Sequence, residues 1–181
     1  REALEVGFHG VLVSNLGVLR LVQQMGCNFI VDHHLNIFNH RSVSFFQNSG
    51  SEAVTLSAEL TLEQVSFLSS YGNVECVIHG NPQLMVMENC IVGSLLGGKG
   101  EACSMPCKAN DFSIVDEKGF QFPLLMDEHC RTHIFNSREL CLLDDIPSFL
   151  NAGVRRLRID ARHMDAQKVR TVVAAYKQHI D

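Results

Sequence analysis

No stretch of this chain approaches the roughly 18 uninterrupted apolar residues of a membrane-crossing helix, so a membrane span is not expected. The first residues also lack the basic, apolar and small-residue segments of a secretory leader, and the chain opens on Arg1 rather than Met. Positive charge is in short supply. Lys and Arg number 15 against 20 Asp and Glu, a formal net charge of −5, which removes any global bias toward nucleic acid. Neither G-x-S-x-G nor H-E-x-x-H occurs, so no serine elbow and no zinc-protease helix is indicated. Low-complexity segments and linkers are missing too.

Cysteine is what the chain does have. Seven is an odd number, a poor fit to a fully paired secreted framework. Without a leader the expected compartment is the reducing cytoplasm, where clustered cysteines bind metal or do redox chemistry more often than they form disulfides.

At 181 residues the chain is long enough for one domain with a real core. Short apolar runs alternate with helical stretches. "GVLVSN" (10–15), "NFIVDHH" (28–34), "AVTLS" (53–57) and "VECVIHG" (74–80) read as strands, and "QLMVME" (83–88) as a further one. Helices are expected at 16–25, within 37–48, at 61–72, through 138–151 and from about 165 to 179. Thr61 and Gln64 have the spacing of a capping box. Residues 89–121 break the rhythm with Gly and Cys around one strand-like piece, "FSIVD" (112–116). "FPLLMD" (122–127) and "VRRLRIDA" (154–161) restore it.

A β-then-α order predicts parallel strands with covering helices. An open doubly wound sheet and a (β/α) barrel both fit that order. Polar residues stand at the strand ends: Asn15, Asp32 to His34, Glu59, His79, Asp127 to His129, Asp160 and Arg162. In a barrel those ends share the rim that carries the chemistry. About six strands fall short of a closed barrel of about 250 residues. The expected fold class is therefore α/β: a TIM-barrel-like (β/α) fold, incomplete at the N-terminus, with residues 1–181 as one barrel-like domain of a longer protein and 89–121 as a cysteine-rich insertion.

The stretch "ENCIVGSLLGGKGEACSMPC" (88–107) carries the strongest chemical signal. Gly93 to Lys99 spells G-x-x-x-x-G-K, but Gly100 follows where a phosphate loop needs Ser or Thr. Twelve residues separate Cys90 from Cys103, and three separate Cys103 from Cys107. Thiolates select zinc or iron–sulfur clusters. A four-cysteine zinc site usually shows two close pairs, and here only Cys103/Cys107 is close, a spread that suits a cluster held from several loops. Cys130 and Cys141 follow at longer range. Cys27 and Cys76 lie in or beside apolar runs and are expected in the core.

His33 and His34 follow Asp32 and could bind metal or act as an acid–base pair. Adjacent strand residues face opposite sides, so one rim histidine and one core histidine are expected. Between Val154 and Arg170, Arg155, Arg156, Arg158, Arg162, Lys168 and Arg170 stand against Asp160 and Asp165. A solvated surface is the plainer reading of that run, and a phosphate-binding patch the alternative.

Several phrases in order, "ELTLEQV" (59–65), "VECVIHG" (74–80), the Cys90–Cys107 stretch, "MDEHCRTHIFNSRELC" (126–141) and "LRIDARHM" (157–164), resemble the collagenase-like peptidase family U32. "VLVSNLGVL" and "LNIFN" fit its middle strands. The resemblance implies a barrel whose first strands precede Arg1. It also implies an iron–sulfur enzyme that hydroxylates a tRNA or rRNA base, or a small molecule, without molecular oxygen, with a homologous subunit as a possible partner. The older family label is a collagenase-like peptidase. A zinc-stabilised nucleic-acid-binding module without catalysis is a further alternative. Family members hold a 4Fe-4S cluster on four cysteines, the first of them three positions after the His-Gly pair. Here that position is Gln83. The resemblance then implies Cys90, Cys103, Cys107 and Cys130 as ligands, with Cys141 the alternative fourth and zinc the alternative metal. Cys130 stands where many members have glycine. "RIDAR" resembles a common "KIEGR" phrase, so Asp160 and Arg162 join His33 and His79 as candidate catalytic residues.

Overall fold

Four apolar runs become parallel strands: β1 (Val11–Val13), β2 (Phe29–Val31), β3 (Ala53–Thr55) and β4 (Val74–Gly80). In this computed structural model, which describes residues 7–98, 103–162 and 164–180, β1 pairs with β2, β2 with β3 and β3 with β4, all in parallel. With β10 (Arg156–Asp160) beside β4, the order is β1-β2-β3-β4-β10. The near-continuous apolar sequences follow from burial on both faces, which crossover helices impose. Helices α1 (Leu16–Gln24), α2 (His40–Asn48) and α3 (Leu62–Ser69) supply those crossovers. Each buries two apolar residues three apart: Leu19 and Val22, Val43 and Phe46, Val65 and Leu68. That spacing keeps both on one helical face.

The helix starts explain one of the polar strand ends, Asn15. The Asn15 carboxamide oxygen accepts from Val18 N–H at 2.9 Å, and Asn39 does the same for Ser42 at 3.0 Å. Both side chains are occupied as caps. Thr61 and Gln64 form the expected capping box, reciprocally bonded at 2.8 and 3.3 Å.

The chain divides into two compact units, residues 80–141 and the remainder. The first, residues 7–79 and 142–180 as described, ends with α4 (Ile146–Asn151) and α5 (Ala166–Ile180). A helix through 138–151 is not formed. Leu140–Cys141 is a short strand, β9, and Pro147 stands in the first turn of a helix that begins only at Ile146. The core of this unit holds Val13, Val31, Ile37, Val54, Leu68, Ile78, Ile146 and Tyr176.

Cys76 lies in that core on β4, and Cys27 packs against it partly buried. Burial, then the charge of Glu75, pushes the Cys76 thiol up to about 12. A free thiol ionises near about 8.5, so the unfolded chain loses this proton first. The group therefore favours folding below about 8.5, and its contribution is lost as pH climbs toward the folded-state value. Alkylation at mildly alkaline pH should leave Cys76 unlabelled until denaturant is added, as peptide mass spectrometry can read. Labelling of the native protein at a rate typical of an exposed thiol would contradict this burial.

The second unit contains an antiparallel sheet of order β5-β8-β7-β6, from β5 (Gln83–Met87), β6 (Phe112–Val115), β7 (Gln121–Met126) and β8 (Thr132–Phe135). Because β7 pairs antiparallel with both β6 and β8, Asp127 to His129 form a hairpin turn rather than the end of a parallel strand. The two hairpins of this sheet are built alike. In the first, Asp116 Oδ1 accepts from Lys118 and Phe120 N–H, both at 2.9 Å, and Gly119 takes φ 82°. In the second, Asp127 Oδ1 accepts from His129 and Arg131 N–H, both at 2.9 Å, and Cys130 takes φ 59°. The same closing bonds recur: Gly119 N–H to Asp116 O and Cys130 N–H to Asp127 O, each 3.0 Å.

Candidate functional site

Two groups of side chains have the makings of a site, one in each unit. In the first unit it starts at the end of β2. Asp32 is buried, and the next three residues, His33–Leu35, form a single 3-10 turn rather than more strand. Leu35 N–H bonds to Asp32 O at 3.1 Å and Asn36 N–H to His33 O at 2.9 Å, with Asn36 left-handed at φ 52°. The turn puts both histidines on the same side. The expected split into one rim and one core histidine therefore does not occur, because strand alternation stops at Asp32. His33 Nδ1 lies 3.0 Å from Asp32 Oδ1, and His34 Nδ1 contacts Oδ2. The rings stand 4.3 Å apart between centroids, and both are partly exposed.

The other side of Asp32 meets β10. Arg158 donates to Asp32 Oδ1 at 2.7 Å and to Thr55 Oγ1 at 2.8 Å, and pairs with Glu75 Oε1 at 2.5 Å. Thr55 in turn donates to Glu75 Oε1 at 3.0 Å. One guanidinium thus ties together β2, β3 and β4 from β10. Burial by itself would push the Asp32 carboxyl up. The hydrogen bonds from His33, His34 and Arg158 outweigh it and hold the group well below the usual carboxylate range.

Asp160 and Arg162, at the end of β10, bind one another: Arg162 Nε donates to Oδ1 at 2.9 Å and its Nη2 lies 2.6 Å from Oδ2. Arg156 pairs with Glu52 at 3.4 Å. Three arginines of the basic run are thereby matched by acids, two of them by acids outside β10 and its end, which favours the plainer reading of that run over a phosphate patch.

His79 is buried at the end of β4, with Nδ1 3.2 Å from the Tyr176 hydroxyl. That hydroxyl donates to Ile78 O at 3.0 Å and accepts from Leu142 N–H at 3.3 Å. Its single proton is used on Ile78, so His79 Nδ1 must carry the proton it shares with Tyr176. Tyr176→Phe should cost about 1–3 kcal/mol in urea denaturation, the penalty for taking the hydroxyl from buried His79, while Leu142 N–H keeps its bond to Ile78 O at 3.0 Å. An unchanged midpoint would mean that His79 finds another partner.

In the second unit, Cys90, Cys103 and Cys130 line one cavity of about 460 Å³, together with Gly93, Ser94 and Gly98. Cys107 sits on the adjoining 3-10 turn, Pro106–Lys108. Cys90 is held from both sides by buried Thr132, which donates to Asn89 O at 2.8 Å and accepts from Ile91 N–H at 3.1 Å. Thr132 begins β8, two residues beyond Cys130, so the loop and the hairpin are fixed to each other. Backbone amides point at two sulfurs: Gly93 N–H at Cys90 Sγ, 3.1 Å, and Met105 N–H at Cys103 Sγ, 3.4 Å. A Cβ on Gly97 would meet Cys103 Sγ at 2.9 Å and Pro106 Cδ at 2.8 Å, and one on Gly93 would meet Cys90 Sγ at 3.1 Å. Glycine at these two places leaves the sulfurs their room.

This donor set fits a thiolate-held centre. None of the seven cysteines, all among the described residues, is in a disulfide. Among the described residues, no three thiol, imidazole or carboxylate ligand atoms of this unit lie within 4.8 Å of one another. A tetrahedral zinc with bonds of about 2.3 Å would bring its sulfurs to about 3.8 Å. Close by, Asp127 Oδ2 takes Arg131 Nε at 2.7 Å and His133 Nε2 at 3.2 Å, while His133 Nδ1 lies 2.9 Å from Gln83 Oε1. Gln83 thus serves as a hydrogen-bond partner of His133.

Sequence reading did not find the Thr55–Glu75–Arg158 network. Its one available signal was a Glu inside the otherwise apolar "VECVIHG" run.

Among known proteins the chain is similar to a tRNA hydroxylation protein (P1) of Bacillus subtilis, 22% identical over 181 residues, covering 95% of this chain and 42% of that protein. It is 22% identical to an uncharacterized protease of Methanocaldococcus jannaschii, over 94% of this chain and 43% of the relative. It is 20% identical to the 23S rRNA 5-hydroxycytidine synthase of Escherichia coli, over 99% of this chain and 27% of the relative. The chain therefore spans less than half the length of these relatives. No solved structure matches it. The family model described as Peptidase family U32 matches residues 1–181, and with the thiol-lined cavity and the parallel sheet in place the chain belongs to that family.

Proposed function

We propose that this chain is the cluster-holding part of an enzyme that hydroxylates an RNA base without molecular oxygen, and that its parallel sheet is a portion of a TIM-type barrel. A 4Fe-4S cluster would be held by Cys90, Cys103, Cys107 and Cys130. One observation carries the reading. Cys130 occupies a left-handed turn position that its twin hairpin gives to Gly119, and it does so on the wall of a cavity shared with Cys90 and Cys103. A non-glycine residue there costs about 1–2 kcal/mol, and exposed Cys130 recovers little of that by packing. The names of the relatives from B. subtilis and E. coli support an RNA substrate.

When bound, the cluster supplies one-electron redox chemistry. The chain's own part is to hold the thiolates, aim backbone amides at two of them and keep the loop fixed through Thr132. At the strand ends, the His33 and His34 Nδ1 atoms can hold or move a proton against Asp32. Arg162, half exposed and oriented by Asp160, offers donors to a substrate edge. His79, buried against Tyr176, positions the end of β4.

The test is nucleoside mass spectrometry of tRNA and rRNA from the natural host with and without the gene. Loss of a nucleoside carrying one extra oxygen supports the reading. An unchanged modification profile, together with collagen cleavage by cluster-free protein, would replace it with the peptidase reading.

A further inference from the structure

We propose that Asp32, His33 and His34 form a second metal site, separate from the cysteines, for a divalent transition ion that favours imidazole. Their three ligand atoms, one carboxylate oxygen and one ring nitrogen of each histidine, lie within 4.8 Å of one another, the only such group among the described residues, and Nδ1 is the nitrogen each ring turns to Asp32. Three consecutive residues can converge like this only where the chain leaves the strand for a tight turn, and left-handed Asn36 closes that turn.

Charge favours an ion here. Asp32 and Glu75 are both buried carboxylates, and among the described residues Arg158 is the one guanidinium bonded to them. The neighbouring Asp160–Arg162 pair is neutral as a whole. The network is left one negative charge in excess, beside two imidazoles whose Nδ1 atoms donate to Asp32 and become ligands by passing that proton to Nε2. A dication bound there offsets the excess. Arg158 does not preclude it, because metal-ligating carboxylates are themselves regularly hydrogen-bonded, and Arg158 orients Asp32 from behind.

Two nitrogens and one oxygen select zinc, iron or cobalt over magnesium or calcium, which take oxygen ligands. Both histidine side chains are about one-third exposed, 31% and 38%, so the ion has a path in. Three protein ligands also leave positions for water or substrate, as catalytic rather than structural sites do.

The experiment uses the natural protein labelled with ¹⁵N on histidine and titrated anaerobically with Zn²⁺, with Co²⁺ as the optical probe. The expected result is loss of the Nδ1 protons of His33 and His34 on adding Zn²⁺. One equivalent of Co²⁺ should show weak ligand-field absorption without a thiolate charge-transfer band. His33→Ala and His34→Gln should each remove that equivalent, while Cys130→Ser leaves it in place. Nδ1 protons that persist at saturating Zn²⁺ overturn the proposal, and the unsubstituted chain alone decides this. A metal count unchanged in both histidine variants overturns it equally. Because the cysteine variant is scored separately, failure of the cluster reading leaves this result intact.

Discussion

Serine in place of Cys90, Cys103, Cys107 or Cys130 should each abolish anaerobically bound iron, whereas Cys141→Ser should keep it. Hydroxyl oxygen is a hard donor that poorly replaces a thiolate on iron. The cavity contains Cys90, Cys103 and Cys130 in its lining, with Cys107 one turn away, and Cys141 is not among the lining residues. Cys130→Gly makes the sharper variant. The left-handed backbone at φ 59° should relax, gaining about 1 kcal/mol of stability as iron is lost. Iron content by elemental analysis and the thermal midpoint of the iron-free protein are the two readings. Iron kept in Cys130→Gly but lost in Cys141→Ser would move the fourth ligand to Cys141. Full iron in Cys90→Ser would remove the cluster assignment altogether.

Arg158→Met should cost about 3–5 kcal/mol, the usual penalty for stranding buried charges. Arg158 touches Asp32, Thr55 and Glu75 at 2.5–2.8 Å, so its removal leaves two buried carboxylates facing each other without a cation. The sign can be checked by a second substitution. Arg158→Met with Glu75→Gln removes one of the stranded charges and should recover part of the loss. Chemical denaturation of the single and double variants measures both. If the single variant loses less than about 1 kcal/mol, the network is solvated and Arg158 contributes as a surface ion pair would.

Local rules made much of the first unit legible. The parallel strands, the Thr61–Gln64 capping box and the long final helix could each be read from a few neighbouring residues, because periodicity and caps are short-range signals. The second unit was harder. Its sheet depends on pairing "FSIV" with "QFPLLM" across a turn, and β5 with β8 across 44 intervening residues, 88–131. Nothing local in a Gly- and Cys-rich stretch announces such pairing. The His33–His34 geometry was hidden because strand alternation was carried two residues past Asp32, to His34. Arg158 looked like one of a run of surface cations, since a charge count in sequence cannot see Asp32 and Glu75 arriving from two other strands. The resemblance had already set Cys130 ahead of Cys141, and the structure adds that Cys90, Cys103 and Cys130 line one cavity whose lining residues do not include Cys141.

The paired hairpins have a genetic reading as well. Glycine and cysteine codons can differ by a single base, and Gly119 and Cys130 show the same turn carrying either residue with its backbone bonds unchanged. Most new metal ligands must be accommodated by rebuilding the chain around them. In this hairpin a thiol can be gained or surrendered by one point mutation that leaves the turn's backbone bonds standing.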